Sequence, residues 1–434
     1  MINRTSTLCH LGLGLLLTTG AVVLAQTRPP EKAITALSTD RIYVHGIAEL
    51  AKKVTGVESI DWSARNNRLI FDGRGLSRFY SIYTMTPEGF GRQSMVLSKP
   101  GGASTLSSGG PSWHPNGDYF IFTAQQAGIP DNARAVPSVG WHNDIWLANR
   151  DGTTFWQLTN KPSQRSAPTG AVYPSFSPDG TKVFWAGNTG KRSPSPWNQR
   201  SLFIADFDFR DNVPELTNIK EFQPGENRDF YEPYGFSPDG KKVLFAGNMI
   251  RGNPWHDLDI YALDGGTQEL IALTDTARVW NRFATYSPDG NKIVWTSTRG
   301  IDIRYLGANA ERWERYLRSE LWIMDADGRR PKQLTFFNDK SNPQYLGKRA
   351  FVGDSAFSPD GKYLAIVLYE EATNFEPESR IILLKLGDGL PRVLERSGKR
   401  DEDGKPEVEE PVAPVEPEPK KGDDPARKPG VIGF

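Results

Sequence analysis

The 434 residues include a single cysteine, Cys9. No internal disulfide framework and no cysteine metal site can therefore hold this chain together. Histidine is also scarce, at 5 residues, which narrows the choice of metal ligands and general bases. Charge of either sign is not in excess: Lys plus Arg and Asp plus Glu both total 52, so no net field draws the chain to nucleic acid or to a membrane surface. No Gly-x-Ser-x-Gly elbow and no Gly-rich phosphate loop before a helix occurs, which leaves a hydrolase nucleophile and a nucleotide site without their usual carriers. Only Leu11–Leu24 forms a sustained apolar run. With Arg4 before it and Val23-Leu24-Ala25 after it, this run reads as a secretory signal over residues 1–25. Cys9 lies ahead of most of the run, the wrong place for a lipid-modified cysteine. The expectation is a periplasmic or otherwise secreted protein with no stable membrane insertion after signal cleavage.

What is abundant is turn chemistry. Gly and Pro number 42 and 32. Ser-Pro-Asp-Gly stands at Ser177–Gly180, Ser237–Gly240, Ser287–Gly290 and Ser358–Gly361, with the variant His114-Pro115-Asn116-Gly117. An aromatic precedes each copy: Trp113, Phe176, Phe236, Tyr286 and Phe357. A short alternating run follows each, as at Lys182–Trp185. Third strands follow at Asp144–Ala148, Ser201–Asp206, Asp259–Leu263, Glu320–Met324 and Arg380–Lys385. Asp-Gly turns and then Leu-Thr pairs, as at Leu158-Thr159, Leu273-Thr274 and Leu334-Thr335, complete the grammar. A worn copy begins at Asp61-Trp62-Ser63. Six such units of four antiparallel strands read as an all-β, six-bladed propeller, because a single short sheet cannot bury both of its faces.

The order aromatic-Ser-Pro-Asp-Gly, strand, Asp-Ile-Trp or Asp-Ile-Tyr, Asp-Gly, Leu-Thr resembles the WD40-like PD40 repeat of TolB-type propellers. Related repeats build propellers of prolyl-oligopeptidase-type enzymes and oligogalacturonate lyases. The resemblance covers about residues 58 to 395. It implies a binding module of the cell envelope with a protein or peptide partner. Two departures stand out. Only a short extension, residues 26–57, precedes the propeller, where TolB has an α/β domain. That extension is expected to form a helix near Gly46–Val54 and a strand at Arg41–His45. The propeller is expected over 58–396, with a last strand at Arg392–Glu395. A disordered Pro/Glu/Lys-rich tail over 397–434 is not part of the resemblance.

The strand order puts the Ser-Pro-Asp-Gly and Asp-Gly turns on one face and the long connections on the other. The long-connection face is the expected functional mouth, since insertions on a rigid scaffold are where binding sits. Trp141, Trp197, Trp255 and Trp313 precede third strands there, Trp280 joins two blades, and Arg200, Arg282 and Arg349 stand nearby. Trp and Arg favour interaction hot spots; Arg over Trp is equally a packing device between blades. His142 and His256 occupy related positions and suggest a second reading, a polysaccharide lyase or hydrolase with an acid/base or metal site at the same mouth. No cofactor and no metal site is assigned, because two histidines make a thin ligand set.

Overall fold

The computed structural model describes residues 37–51, 55–74, 79–95, 106–129, 135–193, 195, 197–226, 228, 230–250, 257–301, 317–371, 377–391 and 393–397. The expected signal and all but the first residue of the expected tail lie outside them. Among the described residues, twenty-five strands form six sheets. Blade 1 holds β2 (Ile60–Ser63), β3 (Arg68–Arg74), β4 (Tyr80–Met85) and β5 (Gln93–Ser94). Blade 2 holds β6 (Ser108–Trp113) to β9 (Phe155–Gln157), and blade 3 β10 (Thr169–Phe176) to β13 (Val213–Phe222). Blade 4 holds β14 (Tyr231–Phe236) to β17 (Leu270–Ala272), and blade 5 β18 (Asn281–Tyr286) to β21 (Lys332–Gln333). Blade 6 runs in the order β22 (Ala350–Phe357), β23 (Tyr363–Glu371), β24 (Pro377–Asp388), β1 (Ile42–Ala51), β25 (Glu395–Ser397). The chain is a six-bladed β-propeller.

The repeated residues have local reasons. In the turn at Ser177, Oγ donates to Asp179 Oδ1 at 2.6 Å and accepts from Lys182 N at 2.9 Å, so serine and aspartate together staple the return of the strand. The same pair of bonds recurs from Ser237, Ser287 and Ser358. Gly180 has φ +75°, and an added Cβ would lie 2.4 Å from His114 Nε2 in the turn of the preceding blade. Glycine is needed there for both the left-handed backbone and the close approach. The Leu-Thr threonines tie the fourth strand to the third. Thr274 Oγ1 accepts from Ile260 N at 2.9 Å and donates to Asp259 Oδ1 at 2.7 Å; Thr335 does the same with Leu321 N and Glu320.

Six apolar clusters fill the seams, each built from two adjacent blades. Ile70 and Ile82 meet Trp113, Phe120 and Phe122 between blades 1 and 2. Leu69 and Phe71 meet Val367 and Ile381 between blades 1 and 6, so the closing seam is as apolar as the others. Burying each such side chain contributes roughly 1.5–3 kcal/mol, and only the neighbouring blade provides the cover.

In the N-terminal segment the strand expected at Arg41–His45 runs on through the stretch expected to be helical. Residues 42–51 form one strand, with no helix at Gly46–Ala51, and the strand belongs to the propeller: β1 pairs antiparallel with β24 from Ile42↔Asp388 to Ala51↔Ile381. It is the fourth strand of blade 6. Apolar, β-branched and aromatic residues at Ile42, Tyr43, Val44 and Ile47 outweigh the helical tendency of Ala48–Ala51 once β24 offers a paired edge. The last strand, expected at Arg392–Glu395, is β25, a fifth strand parallel to β1 that begins at Glu395; Arg392 lies outside the described residues. In blade 3 the outer hairpin is longer than expected, because Phe207 and Phe209 continue to pack on His114 and Tyr119 of blade 2.

Leu50 takes the place of the leucine in the Leu-Thr pairs. A Cβ on Gly89, in the outer turn of blade 1, would lie 2.3 Å from Leu50 O. Gly91 has a similarly left-handed φ of +60° but nothing within 4 Å. Both Gly→Ala changes carry the left-handed strain of ~1 kcal/mol. Gly89→Ala also drives a methyl into the closing strand, and urea unfolding is expected to show it about 1–3 kcal/mol less stable than Gly91→Ala. Equal losses would mean that β1 does not close the ring at Leu50.

Candidate functional site

The first strand of each blade lies next to the axis. In five of the six, pairing with the second strand slips at a bulge, as at Val172/Ser175 and Arg282/Thr285; β2 alone runs through without one. Bulges re-aim side chains. Tyr173 and Phe283 sit there with φ +48° and +52°, a backbone region that aromatic residues rarely adopt, and both line the axial space.

That space is a cavity of about 350 Å³, lined by residues of all six blades. At one end stand Ala64 and the turn prolines Pro238, Pro288 and Pro359, so the cavity reaches the tight-turn face. Inward it passes Trp62, Phe236, Thr285, Tyr286 and Phe357 and ends near Glu58, Tyr173, Tyr234, Phe283 and Asp354. Beyond lies a buried cluster of Trp197, Phe230, Leu258, Trp280, Phe283, Leu317 and Phe351, with Tyr234 packed on it. The cluster shares Phe283 and Tyr234 with the cavity and floors it on the long-connection side.

One wall is acidic. Asp61 Oδ2 accepts from Trp113 N at 2.7 Å and Ser112 Oγ at 3.1 Å, while its Oδ1 accepts from Trp62 N at 2.7 Å. Asp354 accepts from Ile60 N at 3.0 Å and Ser355 N at 2.8 Å. Glu58 accepts from Tyr80 Oη at 2.6 Å and Ser138 N at 2.8 Å. Behind it, Asp72 accepts from Glu58 N, Ser59 N, Ser59 Oγ and Gly110 N. These donors are all uncharged. Burial pushes Glu58 up to about 7, helped by the charge of Asp72. Burial likewise lifts Asp354 to about 7, with Asp61 and Asp72 adding to it, and raises Asp61 itself. The surface that Glu58 and Asp354 keep faces this cavity.

The expected mouth residues fall into three groups. Trp197, Arg200, Trp280 and Arg282 come together, but each is under 9% exposed. Arg282 forms a forked pair with Glu232, Nε donating to Oε2 at 2.6 Å, and lies 4.7 Å from the Trp280 ring and 4.5 Å from that of Phe283. Burial opposes its charge, yet Glu232 outweighs this and holds the guanidinium above its usual range. Arg200 donates to Ser138 O and Val139 O and covers Phe230 at 4.9 Å; burial lowers it to about 10. These four residues floor the propeller instead of forming an exposed rim. Three others are not part of this cluster, although Trp141 reaches it. Trp141 donates from Nε1 to Trp197 O at 3.4 Å. His142 is 1% exposed, has φ +62°, and meets Ser163 Oγ through Nδ1 at 2.6 Å; burial, then Arg165, lowers its pKa. Arg349 pairs with Glu371 on blade 6. Trp255, His256 and Trp313 lie outside the described residues. Among the described residues no group of three His, Cys, Asp or Glu could hold a metal ion.

Glu58, Asp61, Tyr173, Tyr234 and Asp354 were not among the expected site residues. Their signal is positional. Asp61 precedes its repeat aromatic where other blades carry Ser112, Ser175, Gly235, Thr285 and Ala356, and Asp354 stands three before its own.

No protein-family model matches the chain. Among solved structures it is similar to TolB from Acinetobacter baumannii, at 18% identity over 78% of this chain and 66% of that one, with a TM-score of 0.42. It is also similar to a putative TolB from Agrobacterium tumefaciens, at 16% identity over 81% of this chain and 99% of that one, TM-score 0.45. An oligogalacturonate lyase in complex with manganese matches at 11% identity over 78% and 93%, TM-score 0.42.

The acidic wall sets a pH dependence. Glu58 titrates near 7 in the fold and near 4.5 when unfolded. Between those values the folded chain holds a proton that the unfolded chain has lost, so this group's contribution falls as pH rises from about 4.5 to about 7. Gln at position 58 keeps an acceptor for Ser138 N, and Tyr80 Oη can reverse its bond. Glu58→Gln is expected to melt higher than wild type at pH 8, with the gain gone by pH 4.5. A variant equally destabilised at both pH values would contradict the shift.

Proposed function

We propose that the chain is an exported, non-catalytic binding module of the cell envelope, and that a segment of a partner protein or peptide enters the axial cavity from the tight-turn face. The observation that carries this reading is the convergence of bulged first strands on one cavity floored by the Arg282–Glu232 cluster. A site assembled from every blade is rigid, and it buries a ligand on all sides. Export rests on the signal-like residues 1–25, and the balanced charge argues against nucleic acid as the partner. The resemblance of the repeats to those of TolB-type propellers is in keeping with an envelope protein. The lyase or hydrolase reading needs His142 at an open surface, but its ring is buried on Ser163.

Photo-crosslinking separates the two faces. Ala64 is exposed at the cavity entrance, and Ile250, 48% exposed, stands in a long connection. With p-benzoylphenylalanine at each position in turn, partner adducts in intact cells are expected from position 64 and not from 250. Adducts from 250 alone would move the site back to the long-connection face.

A further inference from the structure

We propose that the axial cavity selects a cationic group, an arginine or lysine side chain of the inserted segment, and that the Glu58–Asp61–Asp354 wall receives it. This rests on the axial-binding reading and adds the chemistry of the ligand. Three observations carry it. The wall places three carboxyls in one cavity, and the donors they meet are backbone N–H groups and the hydroxyls of Ser112 and Tyr80. The lining also presents ring surface, from Trp62, Tyr173, Tyr234, Phe236, Phe283 and Tyr286, set among prolines and small side chains. The hydroxyl of Ser355, a cavity-lining residue only 4% exposed, has no hydrogen-bond partner among the described residues.

Carboxylates on one side and aromatic faces on the other suit a guanidinium, which forks onto a carboxylate and stacks on a ring. The cavity volume lies at the small end of ligand pockets, which suits one long side chain rather than a folded element. A bound cation would also relieve the mutual repulsion of the acids, so its affinity should rise with pH through about 7. Several neighbours face the groups that titrate. Glu58 feels Asp72, Tyr80, Tyr173 and Tyr369; Asp354 feels Asp61, Asp72 and Tyr369; Arg74 lies over Tyr80, and Arg282 acts on Tyr173 and Tyr369.

The test uses the full chain and two capped tripeptides, acetyl-Gly-Arg-Gly-amide and its citrulline counterpart, which has the same shape without the charge. Binding is followed by saturation-transfer NMR. The arginine peptide is expected to bind roughly tenfold tighter or more, the worth of one charged hydrogen bond. Its affinity should increase from pH 6 to pH 8 while that of the citrulline peptide stays level. Glu58→Gln should narrow the gap, and Thr285→Trp, which fills the cavity, should abolish binding of both. Equal binding of the two peptides to wild type would overturn the cationic inference and leave the axial reading standing. No binding of either at millimolar concentration would overturn both. Arginine binding that survives Thr285→Trp lies elsewhere on the surface and also overturns the proposal.

Discussion

A four-stranded blade buries neither face alone, so the ring must close for any part of it to be stable. Every seam in this molecule is apolar on both sides, including the one between the first and last blades. Closure is made by strand pairing as well as by packing. The N-terminal strand Ile42–Ala51 lies between β24 and β25, and its Leu50 sits under the outer turn of blade 1. The propeller thus joins its first and last strands within one sheet, and the axial geometry follows from that closure.

The axial cavity is a consequence of the ring with local modifications. Bulges in five first strands turn side chains toward the axis. On the long-connection side, Arg282 and Glu232 pair inside a cage of aromatic rings. Breaking a buried pair of this kind by removing one partner strands the other charge, which makes the floor rigid. On the tight-turn side the cavity is bordered by the turn prolines Pro238, Pro288 and Pro359, which cannot donate hydrogen bonds. Between them the acidic wall holds carboxyls that are desolvated and close to one another, an arrangement that costs stability when they ionise.

The fold was legible because its determinants are local. Ser177 and Asp179 staple a turn whether or not the rest of the chain is known, and Thr274 reports the pairing of two strands by its distance from Asp259. The closing strand was not legible for the opposite reason. Glu49-Leu50-Ala51 resembles a helical stretch locally and becomes a strand only because β24, more than 300 residues away, offers its edge. The tryptophans and arginines of the long connections were read together as one mouth, and of these Trp197, Arg200, Trp280 and Arg282 meet in a buried floor. Composition alone could not say whether they faced outward or packed together. The acids of the axis were harder still, because Asp61 and Asp354 are single departures from the repeat and Glu58 precedes it.

The central claim is that the chain holds an acidic cavity open to the tight-turn face. Thiol reactivity at its wall tests this most directly. In a Cys9→Ser background, Thr285→Cys places one thiol among the cavity residues. Its rates with a cationic and an anionic methanethiosulfonate of similar size are compared with those of a free thiol. The account predicts that the cationic reagent reacts preferentially, and that the preference shrinks as pH falls from 8 to 5.5 and the carboxyls protonate. A thiol inert to both reagents, or one indifferent to their charge, would contradict it.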